Sequence, residues 1–201
     1  MKVKICGLKT KEQVDVAVVH GVDFLGFVFA ESKRQIKAAD VKKITTEVPK
    51  KVQKVGVFVS PSSQQLEEAI QEAMLDMVQI HGEMPEQKIS VPYIRALPVD
   101  NLWITTVENE KEADYLLFDA PPKKYIGGNG EVFDWEVFDP KKVKDKKLFI
   151  AGGLTIENVQ EAKRRFQPYA VDVSSGVETN GEKDLEKIAA FIKKAKEEFY
   201  V

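Results

Sequence analysis

Residues 147–176 read KLFIAGGLTIENVQEAKRRFQPYAVDVSSG. Two apolar runs, KLFIA (147–151) and YAVDV (169–173), each end on a small-residue turn, Gly152-Gly153 and Ser174-Ser175-Gly176. Between them lies a charged segment with helical spacing, in which Thr155 is expected to cap a helix over 156–166. Near-continuous apolar runs suit parallel strands covered on both sides, and strand–turn–helix–strand is the βαβ unit of a parallel sheet.

The same alternation recurs outward from this unit. Strands are expected at 2–6 (KVKIC), 23–28 (DFLGFV), 53–59 (QKVGVFV), 76–80 (DMVQI), 90–95 (SVPYIR) and 114–118 (DYLLF). Thr10 is placed to cap a helix through His20, with Gly21 as terminator. Ser60-Pro61 is expected to start another, with Leu66, Ile70 and Met74 on its apolar face. Asp184 is expected to open a closing helix that runs to about residue 199. Segments 81–89 and 96–113 carry weaker periodicity, so helices four and five are expected to be short or irregular. Eight strands favour closure. The predicted fold is α/β, a single (β/α)8 barrel of the TIM type occupying residues 1–201 as one catalytic domain.

Composition narrows the function classes. Hydrophobic residues make up 43% and charged residues 31%, with a formal net charge of −2. That balance offers no broad attraction for nucleic acid or an anionic membrane. No apolar run reaches membrane-span length, and MKVKICGLKT lacks the apolar core of a signal peptide. The single cysteine cannot form an internal disulfide, and no Cys/His cluster has metal-ligand spacing. A cytoplasmic protein is expected, with no metal or other cofactor, no nucleic acid and no membrane.

Barrel enzymes build their sites at the C-terminal ends of the strands, and the unusual residues gather there. Strand one ends in Cys6-Gly7, and Ser32-Lys33-Arg34 follows strand two. Strand four runs into His81-Gly82, and strand six into Asp119 and the loop Gly127-Gly128-Asn129-Gly130. The turns at Gly152-Gly153 and Ser174-Ser175-Gly176 sit where barrels bind phosphate on backbone N–H groups. Arg34 can hold a carboxylate through its planar fork. Asp119, on the lip of an apolar strand, is placed to have the raised pKa of a general acid. Cys6 at a strand end reads equally as a small core residue or as a reactive thiol, with phosphate-binding amides favouring its thiolate. Asp172 is placed either to contact a substrate hydroxyl or to order the Ser174-Ser175 turn. For His81, a supporting hydrogen bond or a helix cap is preferred to catalysis.

The motifs KICGLKT, GFVFAESKRQI, VQIHG, LFDAPPKKYIGGNGEVFDW, IAGGLTIENV and VDVSSGVE resemble, in order and over about 90% of the chain, those of the phosphoribosylanthranilate isomerase family. The sequence departs from the family at Ile156, where proline is frequent, and at Asn129, where serine or threonine is common. The resemblance implies a barrel performing the Amadori rearrangement of N-(5-phosphoribosyl)anthranilate to 1-(2-carboxyphenylamino)-1-deoxyribulose 5-phosphate in tryptophan biosynthesis. It implies Cys6 as general base, Asp119 as general acid and Arg34 as the contact for the anthranilate carboxylate. Gly152, Gly153, Ser174, Ser175 and Gly176 would form the phosphate site, and Asp172 would contact the substrate. A monomer or homodimer is expected. Two other readings stand beside it. The related barrel isomerase of histidine biosynthesis is similar to a two-aspartate design, with a carboxylate where this chain has Cys6. A non-catalytic barrel binding a phosphorylated metabolite would be expected to lose the acid or the base.

Overall fold

In a computed structural model of the chain, residues 1–98, 110, 112–119, 143 and 145–198 are described. The expected Gly127–Gly130 loop and most of segment 96–113 lie outside them. Eight parallel strands form a closed barrel in sequence order. They are β1 (Lys2–Cys6), β2 (Phe24–Val28), β3 (Gln53–Val59), β4 (Met77–His81), β5 (Tyr93–Pro98), β6 (Tyr115–Asp119), β7 (Lys147–Ile150) and β8 (Ala170–Val173). Pairing of β8 with β1 closes the ring and sets Lys4 directly opposite Asp172.

Alternate side chains of each strand face inward. At the bottom, Phe24, Val55, Met77, Ile94, Leu117, Phe149 and Ala170 pack into an apolar plug, with the Phe24 and Phe149 rings edge to face at 5.2 Å. The outward set, including Val3, Ile5, Leu25, Phe27, Val78, Ile80 and Val171, forms the larger core shared with the helices. Period-2 alternation therefore sorts one strand sequence into two cores. It also lets the inward positions above the plug be polar: Lys4 and Cys6 on β1, Gln79 and His81 on β4, Asp119 on β6 and Asp172 on β8.

Five helices cover the described barrel. Helix α1 (Lys11–Val19) starts as expected, with a reciprocal capping box between Thr10 and Gln13, and stops before Gly21 at φ +84°. Helix α2 (Ala38–Ile44) was not anticipated: Lys37 gives no side-chain cap and Val41 is its one buried residue, so the local signal is weak. Helix α3 (Ser63–Ala73) begins later than Ser60-Pro61, because Ser62 and Gln65 form the capping box while Ser60 sits at φ +45° and accepts from the Glu83 N–H. Leu66 and Ile70 are buried, whereas Met74 is the left-handed cap and is exposed.

Helix α4 (Val159–Phe166) also starts late. Asn158, not Thr155, precedes its first residue, and its side chain bridges the Thr155 N–H and the Gly153 carbonyl, competing locally with helix. Helix α5 (Leu185–Lys196) opens as expected on Asp184, whose carboxylate accepts from the Glu186 and Lys187 N–H groups, and closes three residues before the expected end. Strand β5 lies three residues beyond its expected position, since Ser90 is tied to Glu67 and pairing with β4 begins at Tyr93. Residues 82–92 contain no helix, in keeping with the weak periodicity there. After β8 a short 3-10 turn (Ser175–Val177) leads into a hairpin of β9 (Glu178–Thr179) and β10 (Glu182–Lys183).

Candidate active site

The strand C-termini surround a cavity of about 680 Å³, within the range of small-ligand sites. Cys6, Arg34, Asp119, Gly152, Gly153, Asp172, Ser174 and Ser175 all line it, so nearly every residue singled out in the sequence converges here. Gly176 does not line it. It lies behind the mouth, where a Cβ would come within 1.9 Å of the Leu154 carbonyl oxygen. Only glycine permits that approach, which locks the turns after β7 and β8 against each other. Gly152 and Gly153 both have positive φ, and added atoms at Gly153 would meet open space. Among the described residues, the Gly153 and Ser175 N–H groups donate to no partner. Two backbone turns with free donors thus meet in one edge whose chemistry suits an anion.

Cys6 is buried, with Gly26 of β2 beside it; a Cβ at Gly26 would lie 2.9 Å from the Cys6 Cα and 3.1 Å from its Sγ. Burial pushes the thiol above its ordinary pKa; Lys4 pulls it down, Asp172 pushes it up and Lys183 pulls it down. This runs against the expectation that the mouth favours thiolate, because desolvation outweighs the nearby positive charge. Asp119 has the raised pKa expected of its place at the lip of an apolar strand. Desolvation, then the negative charge of Asp172, raises its carboxyl to about 6 against the opposing pull of Lys4. Its carboxyl remains accessible from the cavity, so what desolvates it is the concave wall of the mouth rather than enclosure.

Sequence reasoning gave Lys4 no role. It is fully buried and donates to the Asp172 Oδ2 at 2.9 Å. The available signal was a lysine between the apolar Val3 and Ile5 of the strand, two residues before Cys6 and so on the same face. The second Asp172 oxygen, Oδ1, is buried without a hydrogen-bond partner among the described residues, as is the Gln79 Oε1. Gln79 donates through Nε2 to the His81 Nε2 at 2.8 Å. Burial, then Lys4, lowers the His81 pKa, so a neutral ring accepts this bond. His81 therefore has the supporting role preferred from sequence, through Gln79 and not as a helix cap.

Arg34 reaches the mouth with its fork already engaged. Its Nε and Nη2 donate to Glu178 at 2.6 and 2.9 Å, while Nη1 has no partner among the described residues. Lys183 also donates to Glu178, at 2.7 Å, and to the Ser174 carbonyl at 2.8 Å. Burial opposes ionisation of Glu178, but the Arg34 and Lys183 hydrogen bonds outweigh it and hold its carboxyl down at about 2. Ser174 in turn donates to the Cys6 carbonyl at 3.2 Å. Neither Glu178 nor Lys183 was picked out in the sequence.

This geometry has counterparts in known proteins. A family model described as "N-(5'phosphoribosyl)anthranilate (PRA) isomerase" matches residues 3–194. The chain belongs to that family. An N-(5'-phosphoribosyl)anthranilate isomerase of Streptococcus mutans is 51% identical over 202 residues, covering 97% of this chain and 98% of that one. A crystal structure of the isomerase from Thermotoga maritima is 37% identical, with a TM-score of 0.85 and 98% of both chains covered. Another isomerase crystal structure, in complex with reduced 1-(o-carboxyphenylamino)-1-deoxyribulose 5-phosphate, is 35% identical over 98% of both chains, with a TM-score of 0.82. Membership in this family sets aside the histidine-pathway reading.

Proposed function

We propose that Cys6 and Asp119 are the general base and general acid of the rearrangement, with substrate held between the fused glycine turns and Arg34. The reaction follows from family membership: the chain is an aldose–ketose isomerase acting on phosphoribosylanthranilate in tryptophan biosynthesis. The residue roles rest on one observation above the others. A buried thiol and a carboxyl with pKa raised to about 6 face a single cavity whose edge carries free backbone donors.

Asp119, protonated, gives its proton to the ribose ring oxygen as the anilino nitrogen forms a double bond to C1 and the C1–O bond breaks. The Cys6 thiolate then removes the proton from C2. The C2–H electrons form C1=C2, and the C=N electrons return to nitrogen. Tautomerisation delivers a proton to C1 and releases the C2 hydroxyl proton, restoring the acid and the thiolate. C2 is oxidised to a ketone as C1 is reduced to the amine level, so electrons balance within the substrate.

Supporting contacts follow from the unsatisfied groups. Asp172 Oδ1 and Gln79 Oε1 are acceptors suited to sugar hydroxyls. The phosphate takes the Gly152-Gly153 and Ser174-Ser175 turns, with Gly176 behind them as the packing point. The anthranilate carboxylate takes the open Nη1 edge of Arg34 while Glu178 holds the other edge. Fixing both ends leaves the ribose carbons between base and acid. A thiol that must remain free to ionise suits the reducing cytoplasm, where we place the enzyme.

The direct test is the decay of anthranilate fluorescence when purified protein meets substrate generated in situ. Consumption at an ordinary enzymatic rate is expected; a folded protein that leaves the substrate untouched would overturn the assignment.

A further inference from the structure

Lys4 is unused by the mechanism as derived, yet it is the most completely buried charge near the base. Its ammonium has no solvent exposure and donates to Asp172 from across the β1–β8 seam. A buried ion pair of this kind gives little or no net stability over apolar residues of similar volume. The apolar plug lies just below, so an uncharged pair at positions 4 and 172 would simply extend it. The charge stands instead between that plug and the thiol of Cys6, which lies two residues further along β1 on the same inward face and within reach of its electrostatic influence.

The other cations facing Cys6 are already engaged. Arg34, from the loop after β2, and Lys183, from β10, both pair with Glu178. Asp172, from β8, is the anion facing the thiol. Asp119 on β6, the neutral His81 on β4 and Glu31 in the loop after β2 are the other titratable groups lining the cavity among the described residues. We propose that Lys4 is a positioning residue for proton abstraction: its buried ammonium, held by the Asp172 carboxylate on the same inward face of β1 as Cys6, supplies the countercharge on which the Cys6 thiolate depends. Burial works against the Lys4 charge, but Asp172 and then Cys6 more than compensate and keep it above the ordinary lysine value. Lys4 therefore remains an ammonium throughout the working pH range. A donor hydroxyl arriving at the free Asp172 Oδ1 weakens that carboxylate's hold on Lys4, and the ammonium is then freer to serve the thiol.

The proposal rests on Cys6 as base, but its test does not use turnover. Cys6 is the only cysteine in the chain, so thiolate absorbance and the pH dependence of alkylation report it alone. Lys4→Met is expected to raise the thiolate midpoint by about 1–3 pH units, the scale of one close charge. Asp172→Asn is expected to lower it, and Lys4→Arg to keep it near the wild-type value. Opposite movements distinguish a charge effect from general disruption of the site, which would shift both variants alike. An unmoved or lowered midpoint in Lys4→Met overturns the proposal, as does a raised or unmoved midpoint in Asp172→Asn. If Lys4→Met does not fold, Lys4→Gln takes its place, with the same rise expected and an unmoved or lowered midpoint overturning the proposal. A fully active Cys6→Ala protein would remove the base assignment while leaving the Lys4 titration result standing, so the two failures are distinguishable.

Discussion

Cys6 and Asp119 face one cavity, are proposed to take opposite tasks, and have surroundings that push both pKa values upward. For the acid, a carboxyl at about 6 is protonated below that pH and loses its proton above it. The base is protonated until pH exceeds its raised thiol value. The active form needs acid protonated and base ionised. Between the two values its population is constant, because each gain in thiolate is cancelled by a loss of protonated Asp119. Wild-type kcat/KM should therefore form a plateau above about pH 6 and fall below it. The substrate phosphate also titrates near 6, so a variant is needed to assign that limb. In Asp119→Asn the weakened residual rate should keep climbing with pH up to the thiol pKa. A residual rate that is flat above pH 6 would show that Asp119 does not supply the limb. Cys6 and Asp119 were legible as candidates because each stands at the end of a predicted strand, and the family resemblance then implied the roles proposed for them. The height of the thiol pKa was not legible, since it depends on burial against Gly26 and on charges from β8 and β10.

At the scale of elements, the hairpin β9–β10 joins two parts of the site that are far apart in sequence. Glu178 binds Arg34 across 144 residues, and Lys183 links it to Ser174 at the phosphate turn. Hydrogen bonds of charged groups contribute about 1.5–3 kcal/mol, enough to hold the guanidinium in one orientation. Glu178→Ala should raise KM for phosphoribosylanthranilate about tenfold or more, at the scale of 1.4 kcal/mol per decade, with a smaller change in kcat. Steady-state kinetics would check this. A lower KM would mean that Glu178 competes with substrate for Arg34 rather than aiming it. Local signals served the elements unevenly. The Thr10 and Asp184 caps are visible in sequence because the capping side chains lie within three residues of their targets. Helix α2 has no such cap, and the start of α4 turns on a single Asn158 side chain. The Arg34–Glu178 pair left no local trace at all.

Across the whole molecule, closure of the barrel turns alternation along each strand into layers: an apolar plug, a polar band of Lys4, Gln79 and Asp172, then the reactive mouth. The plug is the floor on which the site is built. Phe149 is fully buried there against Phe24 and near Tyr169. Phe149→Ala should cost about 3–5 kcal/mol of unfolding free energy in urea titration; a loss below about 1 kcal/mol would show that the plug repacks freely. The eight strands and their order could be read from apolar runs and turn residues, because parallel strands covered on both faces leave a continuous signal. Which inward position belongs to which layer could not, since that follows from strand stagger on closure.

The proposed mechanism turns on proton transfer by the Cys6 thiolate. Its most direct test is the turnover of purified, folded Cys6→Ala protein, followed by loss of substrate fluorescence at a pH on the wild-type plateau. A fall of about 10²–10⁴-fold, the typical contribution of a general base, with an unchanged fold, is the predicted result. Turnover near that of wild type would contradict it.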